Sequence, residues 1–445
     1  MVSPIPFWSP PPRARHFAQR HPQLRGAMAC LVAALAVFEA VAASNSPSSP
    51  PGLVPDFTPG VRPLVPLPAA CPQPPCTWEH TYGGALSDKA YGVARLPDGD
   101  VIMVGHTRSA FNLSDDVQVL RLDPAGGLRW RREFGGRGTD RAYAVAVAAD
   151  GGALVAGHTR SQGRGGSDVW LLRLDAQGQL QWQRTFGGNG NDRARTVIAT
   201  LDGGSLVGGF TRSRGDRAGD AWLLRLDAQG ELLWERTFGG AGDDGLYHLA
   251  LLADGDVAAV GHRARLGVDD RTHFDLWALR LDPKGAVRWS RTVNHSAFDA
   301  ATGVAPTADG GLVVIGLTSP RLGKSDVLAV RFDPEGKVVW QRTFGGEGSD
   351  TAWAVATLPA GGYVIAAATA SRGHGSSDAW LMGIDEAGRL RWERLYGGAL
   401  WDRPTAAAAD GAGILMAGYT TTRGAGQEDM WLLRLDGLGK LSTAP

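Results

Sequence analysis

From Trp78 onward the sequence repeats one unit seven times, and this period limits the possible folds more than any other feature. The anchoring tryptophans are Trp78, Trp130, Trp182, Trp234, Trp289, Trp340 and Trp392, spaced 52, 52, 52, 55, 51 and 52 residues apart. A unit of this length cannot bury its apolar face alone, so such periods mark propellers or solenoids. Each unit holds four strand-like segments, in the second repeat Ala142 to Ala148, Ala153 to Thr159, Val169 to Leu174 and Leu180 to Phe186. Asp150-Gly151-Gly152 and Asp175-Ala176-Gln177-Gly178 between them have the residues that tight hairpins need. No segment sustains a 3.6-residue apolar period, so helices are not required. Four antiparallel strands repeated seven times predict an all-β, seven-bladed β-propeller of four-stranded blades.

The tryptophans explain why one blade needs its neighbours. Burying a Trp removes ~200 Å² from water, worth roughly 5 kcal/mol at most, and a lone sheet has no second layer to bury it against. A second aromatic column, Trp170, Trp222, Trp277, Trp380 and Trp431, recurs on the third segment and suits the same packing. The last repeat has Thr443 where its anchor Trp belongs, while Thr77 to Tyr82 forms an orphan fourth segment at the start. The expectation is that this N-terminal strand completes the last blade and clasps the ring shut.

The repeat W-x-R-T-[FY]-G-G-x-G-x-D, D-G-G, G-x-T, S-D-x-W-L-L-R-L-D resembles a large group of uncharacterised exported bacterial and archaeal β-propeller repeat proteins, over residues 77 to 442. The resemblance implies the fold and carries no shared activity. Asp168-Val-Trp170 followed by Asp175 and Trp182 is also similar to the kelch repeat, although the double glycine here follows the fourth strand.

Upstream of the repeats, residues 1–43 read as a signal peptide. Four arginines precede the apolar run Ala27 to Phe38, and Val41-Ala42-Ala43 offers a cleavage site before Ser44. An uncleaved anchor is the alternative, disfavoured by the short run and by Glu39. Residues 44–76 hold 11 prolines and read as a stiff linker, with Cys71 and Cys76 expected to form a local disulfide in an oxidising compartment. Residues 77–445 are the propeller. A secreted, periplasmic or cell-surface location follows. Without residues 1–43 the chain has 41 basic against 44 acidic residues, which gives no electrostatic reason to expect nucleic acid or an anionic membrane as partner.

Several motifs are better read as structure. Gly135-Gly-Arg-Gly-Thr-Asp140 and its copies match half of a calcium-binding β-roll repeat, but such sites need tandem stacking and these copies lie a whole unit apart. Leu174 to Trp182 is similar to the docking turn of quinoprotein dehydrogenases, yet the chain lacks adjacent cysteines. His106, His158 and His262 occupy one equivalent position in different units, too far apart for metal bonds of ~2 Å. Residues present in every unit belong to the fold first. This covers the aspartates leading into the first strand (Asp88, Asp140, Asp192, Asp244, Asp299, Asp350, Asp402) and those of the turn series Asp123 to Asp436. No catalytic set and no cofactor site is expected.

Departures from the repeat carry the functional expectation. The fourth unit lengthens its loop across Asp270 and His273, and the next lead-in loop is rewritten around His295. His248 replaces a small residue, and aromatics recur at Tyr91, Tyr143, Tyr247 and Trp353. The expected binding residues are therefore Tyr247, His248, Asp270, His273, His295 and Trp353, on a rim suited to sugars or peptide loops. Drifted repeats with inter-blade aromatics fit the same residues, and both readings stand at this point. The function expected is an exported, non-enzymatic, monomeric binding or scaffold module for a glycan or envelope protein. The alternative is a quinoprotein-like oxidoreductase or polysaccharide-cleaving propeller.

Overall fold

The computed structural model describes residues 77–108, 114–215, 218–266, 272–321, 324–411 and 413–441. The expected signal peptide, linker and Cys71–Cys76 disulfide lie outside the described residues, as does Asp270. Every element described is a strand, and no helix there is long and apolar enough to cross a membrane. The strands are antiparallel neighbours in sequence order. The first sheet holds β2 (Asp88–Arg95), β3 (Val101–Arg108), β4 (Asp115–Leu122) and β5 (Leu128–Phe134). The second holds β6 (Arg141–Val147), β7 (Ala153–Thr159), β8 (Asp168–Leu174) and β9 (Leu180–Phe186), within a residue of the expected bounds. The third holds β10 (Asp192–Ala199), β11 (Ser205–Thr211), β12 (Asp220–Leu226) and β13 (Leu232–Phe238).

The next two repeats differ from expectation by merging into one eight-stranded sheet. It runs from β14 (Gly245–Leu251), β15 (Val257–Leu266), β16 (Thr272–Leu281) and β17 (Val287–Val293) into β18 (Phe298–Pro306), β19 (Leu312–Arg321), β20 (Lys324–Phe332) and β21 (Val338–Phe344). The join is a single parallel pair, Phe274 with Phe298. Elsewhere the same contact is an isolated parallel bridge between neighbouring sheets, at Ser167–Asn191 and Ser377–Trp401. The cause is the insertion in the fourth repeat. Instead of an irregular loop it lengthens the β15–β16 hairpin, with pairing from Val257–Leu281 out to Leu266–Thr272.

Of the last two sheets, one holds β22 (Asp350–Thr357), β23 (Tyr363–Thr369), β24 (Asp378–Ile384) and β25 (Leu390–Tyr396). The other holds β26 (Asp402–Asp410), β27 (Gly413–Thr420), β28 (Asp429–Leu435) and, beside β28, the N-terminal β1 (Trp78–Tyr82). β1 pairs antiparallel to β28 from Trp78–Arg434 to Tyr82–Met430.

The core lies between sheets. One apolar cluster joins Ile102, Val104 and Val119 of the first sheet to Val155, Trp170 and Leu172 of the second. An equivalent cluster joins Leu415, Ala417 and Leu432 of the last sheet to Val101, Met103 and Leu120 of the first. The two tryptophan columns differ in depth. The third-strand column is fully buried, and each indole N–H is taken by the fourth strand: Trp170 donates to Gln183 at 3.2 Å and Trp380 to Glu393 at 3.0 Å. The anchor column sits nearer the surface, where Trp130 donates to the Ala176 carbonyl at 3.1 Å in the next sheet's turn. The turn's Gly178 has φ +76°, and a Cβ there would lie 3.0 Å from the Trp130 ring. The Asp-x-x-Gly turn is thus the seat of the preceding sheet's tryptophan.

The recurring carboxylates hold loops. Asp192 accepts amides from Gly188 (3.0 Å) and Arg212 (3.1 Å) and the Ser213 hydroxyl (2.5 Å). Asp175 accepts the amides of Gln177 and Gln179 within its own turn.

Candidate functional site

The seven first strands β2, β6, β10, β14, β18, β22 and β26 lie against one another in that order, and β26 lies against β2. Each pairs with its second strand through the same irregularity. Opposite β7, for example, Ala142 faces Gly157 and Ala144 faces Ala156, so Tyr143 is an extra, unpaired residue. This is a β-bulge, and it recurs three residues after every lead-in aspartate. The bulge brings the strands so close that a Cβ on Gly157 would sit 1.8 Å from the Arg141 carbonyl oxygen. This explains the glycine inside the second strand of most repeats. The bulged residues are Tyr91, Tyr143, Arg195, Tyr247, Thr302, Trp353 and Thr405.

They do different things. Thr302 donates to the Ala352 carbonyl and Thr405 to the Ala90 carbonyl, each at 2.8 Å, tying one first strand to the next. Tyr91 and Tyr143 meet at 5.2 Å between centroids, and the Arg195 guanidinium lies 4.4 Å from the Tyr143 ring and 5.9 Å from the Tyr247 ring. Behind the tyrosines stand the three equivalent histidines: His106 on Tyr91 and His158 on Tyr143, both at 5.6 Å, and His262 on Tyr247 at 5.4 Å. Burial pushes His106 down to about 4, and burial with Arg193, Arg141, Arg195 and Arg160 pushes His158 well below the ordinary range. Burial thus disfavours the charged form of all three rings, His262 included. Burial raises the Tyr247 phenol to about 12. Burial also works to raise Tyr143, but Arg195, Arg141 and Arg193 outweigh it and lower the phenol overall.

The residues expected from sequence are spread over the molecule. Tyr247 and His248 are neighbours on β14, and burial pushes His248 down to about 4. Trp353 lies on β22, its indole N–H buried without a protein partner. His273 is corrected from an exposed loop to a half-buried strand residue of β16, stacked on Phe298 at 6.3 Å. A series of ring contacts links it to Tyr247 through Phe298, Phe274 and His262. His295 is exposed on its lead-in loop and contacts Gln341 at 2.7 Å. That loop lacks the double glycine, yet His295 and Ser296 still donate amides to Asp299, so it does the job of every other lead-in loop. Among the described residues, no ring contact or hydrogen bond joins His295 or Trp353 to Tyr247. Arg195 and its neighbours Arg141 and Arg193 were missed. The signal was available: Arg195 is the one cation in a column otherwise filled by Tyr, Trp and Thr.

Among the described residues, no group of three or more His, Cys, Asp or Glu is arranged to hold a metal ion. Surface clefts, such as the one lined by Asp98, Asp100, Arg121 and Trp130, are built from anchor and turn residues of the repeat.

No family model matches this sequence. The regulatory protein FlaEY of Caulobacter vibrioides is 28% identical over 175 residues, a match covering 33% of this chain and 18% of that protein. The chain therefore spans under a fifth of that relative's length. Among solved structures, the WD40 β-propeller domain of Doa1 aligns with a TM-score of 0.50 at 14% identity, over 80% of this chain and 95% of that one. The polysaccharide lyase Uly1 aligns with a TM-score of 0.51 at 11% identity, over 80% and 91%. With the sheets described above, these likenesses define the chain as a β-propeller repeat protein. The similar folds include both a WD40 domain and an enzyme, so likeness of fold alone assigns no activity.

Proposed function

We propose that the chain is an exported, non-enzymatic binding module, a seven-bladed ring closed by β1, that recognises a glycan or envelope protein on the face of its lead-in loops. The observation carrying this reading is the bulge column. The carboxylates common to all repeats are occupied in holding loops and turns, whereas the bulged residues of the first strands differ from sheet to sheet. Aromatic rings beside a guanidinium suit the mixed apolar and polar surface of a saccharide. Seven blades and closure are supported by the Ser87–Glu428 bridge between the first and last sheets, equivalent to Ser167–Asn191. Export rests on residues 1–43, and an N-terminus at Ser44 in the mature protein is its test.

The experiment is a saccharide panel titrated against the purified chain, repeated with Trp353→Ala and Tyr247→Ala. Binding without turnover, weakened by either substitution, supports the module. Reproducible turnover, with quinone and redox dye or with polysaccharide, defeats it. One observation favours the polysaccharide-cleaving alternative: the Arg195 guanidinium lies 4.4 Å from the Tyr143 ring, and Arg195, Arg141 and Arg193 lower that phenol against its burial. Unsaturated sugar products formed by the chain and lost in Tyr143→Phe would establish it.

A further inference from the structure

The wall shared by β6, β10 and β14 brings together Arg141, Arg193 and Arg195, of which Arg141 is ion-paired to a carboxylate. Arg193 and Arg195 lie on either side of the buried Ala194 on β10, and Arg195, the bulged residue, places its guanidinium against the Tyr143 and Tyr247 rings. Arg141, at the equivalent position to Arg193 in the preceding sheet, binds Asp115 through Nε at 2.8 Å. Arg108 shares that same carboxylate. Arg193 has only a long 3.5 Å contact from Nε to the Ser167 hydroxyl. The Arg195 Nε is buried without a protein partner. The nearby aspartates make their hydrogen bonds elsewhere: Asp140 accepts the Arg160 amide and the Ser161 hydroxyl, and Asp168 accepts the Arg164 amide. Asp243 is paired with Arg212.

Three groups register the resulting potential. Burial, and then repulsion from Arg195, Arg160 and Arg141, pushes the Arg193 guanidinium down to about 10, although Tyr143 acts the other way. His158 is held low by burial and the same four arginines, and the Tyr143 phenol is lowered against its burial. Cations packed this closely repel one another, and an anion between them relieves the repulsion. The guanidinium fork matches the two oxygens of a carboxylate or sulfate.

We infer that Arg193 and Arg195, flanked by Arg141 and Tyr143, bind the oxyanion of an acidic saccharide, either a uronate carboxylate or a sulfate ester. The inference rests on the glycan-binding reading and narrows it to anionic glycans. The guanidinia meet the anion, while Tyr143 and Tyr247 hold Arg195 between their rings.

The test titrates the full chain with a hexuronate oligomer, a sulfated oligosaccharide, the carboxyl-reduced neutral oligomer and an acidic peptide. The expected result is binding of one or both acidic saccharides, with the neutral oligomer at least about tenfold weaker. Preference for hexuronate or for the sulfated sugar identifies the oxyanion. Arg193→Gln with Arg195→Gln is expected to weaken acidic-saccharide binding about tenfold or more, while the distant Arg236→Gln leaves it unchanged. Without ligand, the double variant is expected to melt close to the wild type, because the relieved repulsion is opposed by the lost ring contacts of Arg195. Neutral oligomer binding as tightly as the acidic one keeps the glycan reading and overturns the anion site. Binding of the acidic peptide alone, or a double variant that melts lower yet binds undiminished, also overturns it. Failure of every saccharide to bind removes both readings.

Discussion

Glu79→Ala tests whether β1 is an integral strand of the last sheet. Trp431 is almost fully buried, and its indole N–H donates to Glu79 at 2.8 Å across the β1–β28 pairing. Trp380 and Trp222 do the same with Glu393 and Glu235, both at 3.0 Å, inside sheets whose strands are continuous in sequence. Removing the carboxylate strands a buried donor, which costs roughly 1–3 kcal/mol. Loss of the half-exposed Arg423 pair adds only about 0–1 kcal/mol. For a protein of this size the sum corresponds to a fall in melting temperature of about 1–5 °C. Calorimetry of Glu79→Ala beside Glu393→Ala is the assay, and the two are expected to fall together. Glu79→Gln should be close to wild type, since Gln183 already performs this role for Trp170. A Glu79→Ala protein that melts like wild type while Glu393→Ala does not would refute the clasp, because β1 would then be a loose appendage.

Other perturbations probe the seat of the tryptophans, the buried histidine and the insertion. Gly178→Ala should cost about 2–3 kcal/mol, combining a left-handed φ of +76° with a contact on Trp130, whereas Gly361→Ala, at φ +87° with open space around it, should cost only about 1 kcal/mol; equal losses by urea titration would exclude the docking contact. His248 has a folded pKa lowered by burial to about 4, so its stability contribution is complete above the unfolded value of about 6.5 and is lost as pH falls through 4. His248→Ala, which installs the side chain of Ala144 and Ala354, should therefore lose about 2–3 kcal/mol less than wild type between pH 7.5 and 4, read from urea midpoints at both. His273→Ala should lower stability by about 1 kcal/mol through the Phe298 stack, while exposed His295→Ala should change it by less than about 0.5 kcal/mol; identical midpoints would mean that the extended hairpin contributes nothing.

The repeat made the strands legible because strand alternation, turn glycines and periodic tryptophans all point to the same answer. The carboxylates were legible for the same reason, since a residue present in every unit serves the unit. The insertion was misread because Arg263 to Asp275 has loop-like polarity, yet Arg263 to Leu266 pair with Thr272 to Asp275 as an extended hairpin. The site was the least legible part. Tyr247 and Trp353 drew attention as aromatics, but His295, chosen for its altered loop, turned out to sit in a loop whose aspartate cap is unchanged.

The bulge shows where that reasoning lacked a step. Gly157 in the middle of an otherwise apolar strand signals a close backbone approach, since a Cβ there would lie 1.8 Å from a carbonyl oxygen. Taking that glycine as evidence of a bulge places an unpaired residue opposite it in each repeat, and Arg195 then stands out as the single cation of the column. An unpaired residue has no cross-strand partner to satisfy, so its side chain varies without disturbing the register that holds the sheet. In a fold made of near-identical units, that freedom is how asymmetry arises without breaking the repeat. Tyr143, Arg195 and Tyr247 are three variants of one position, brought into contact because their strands lie side by side.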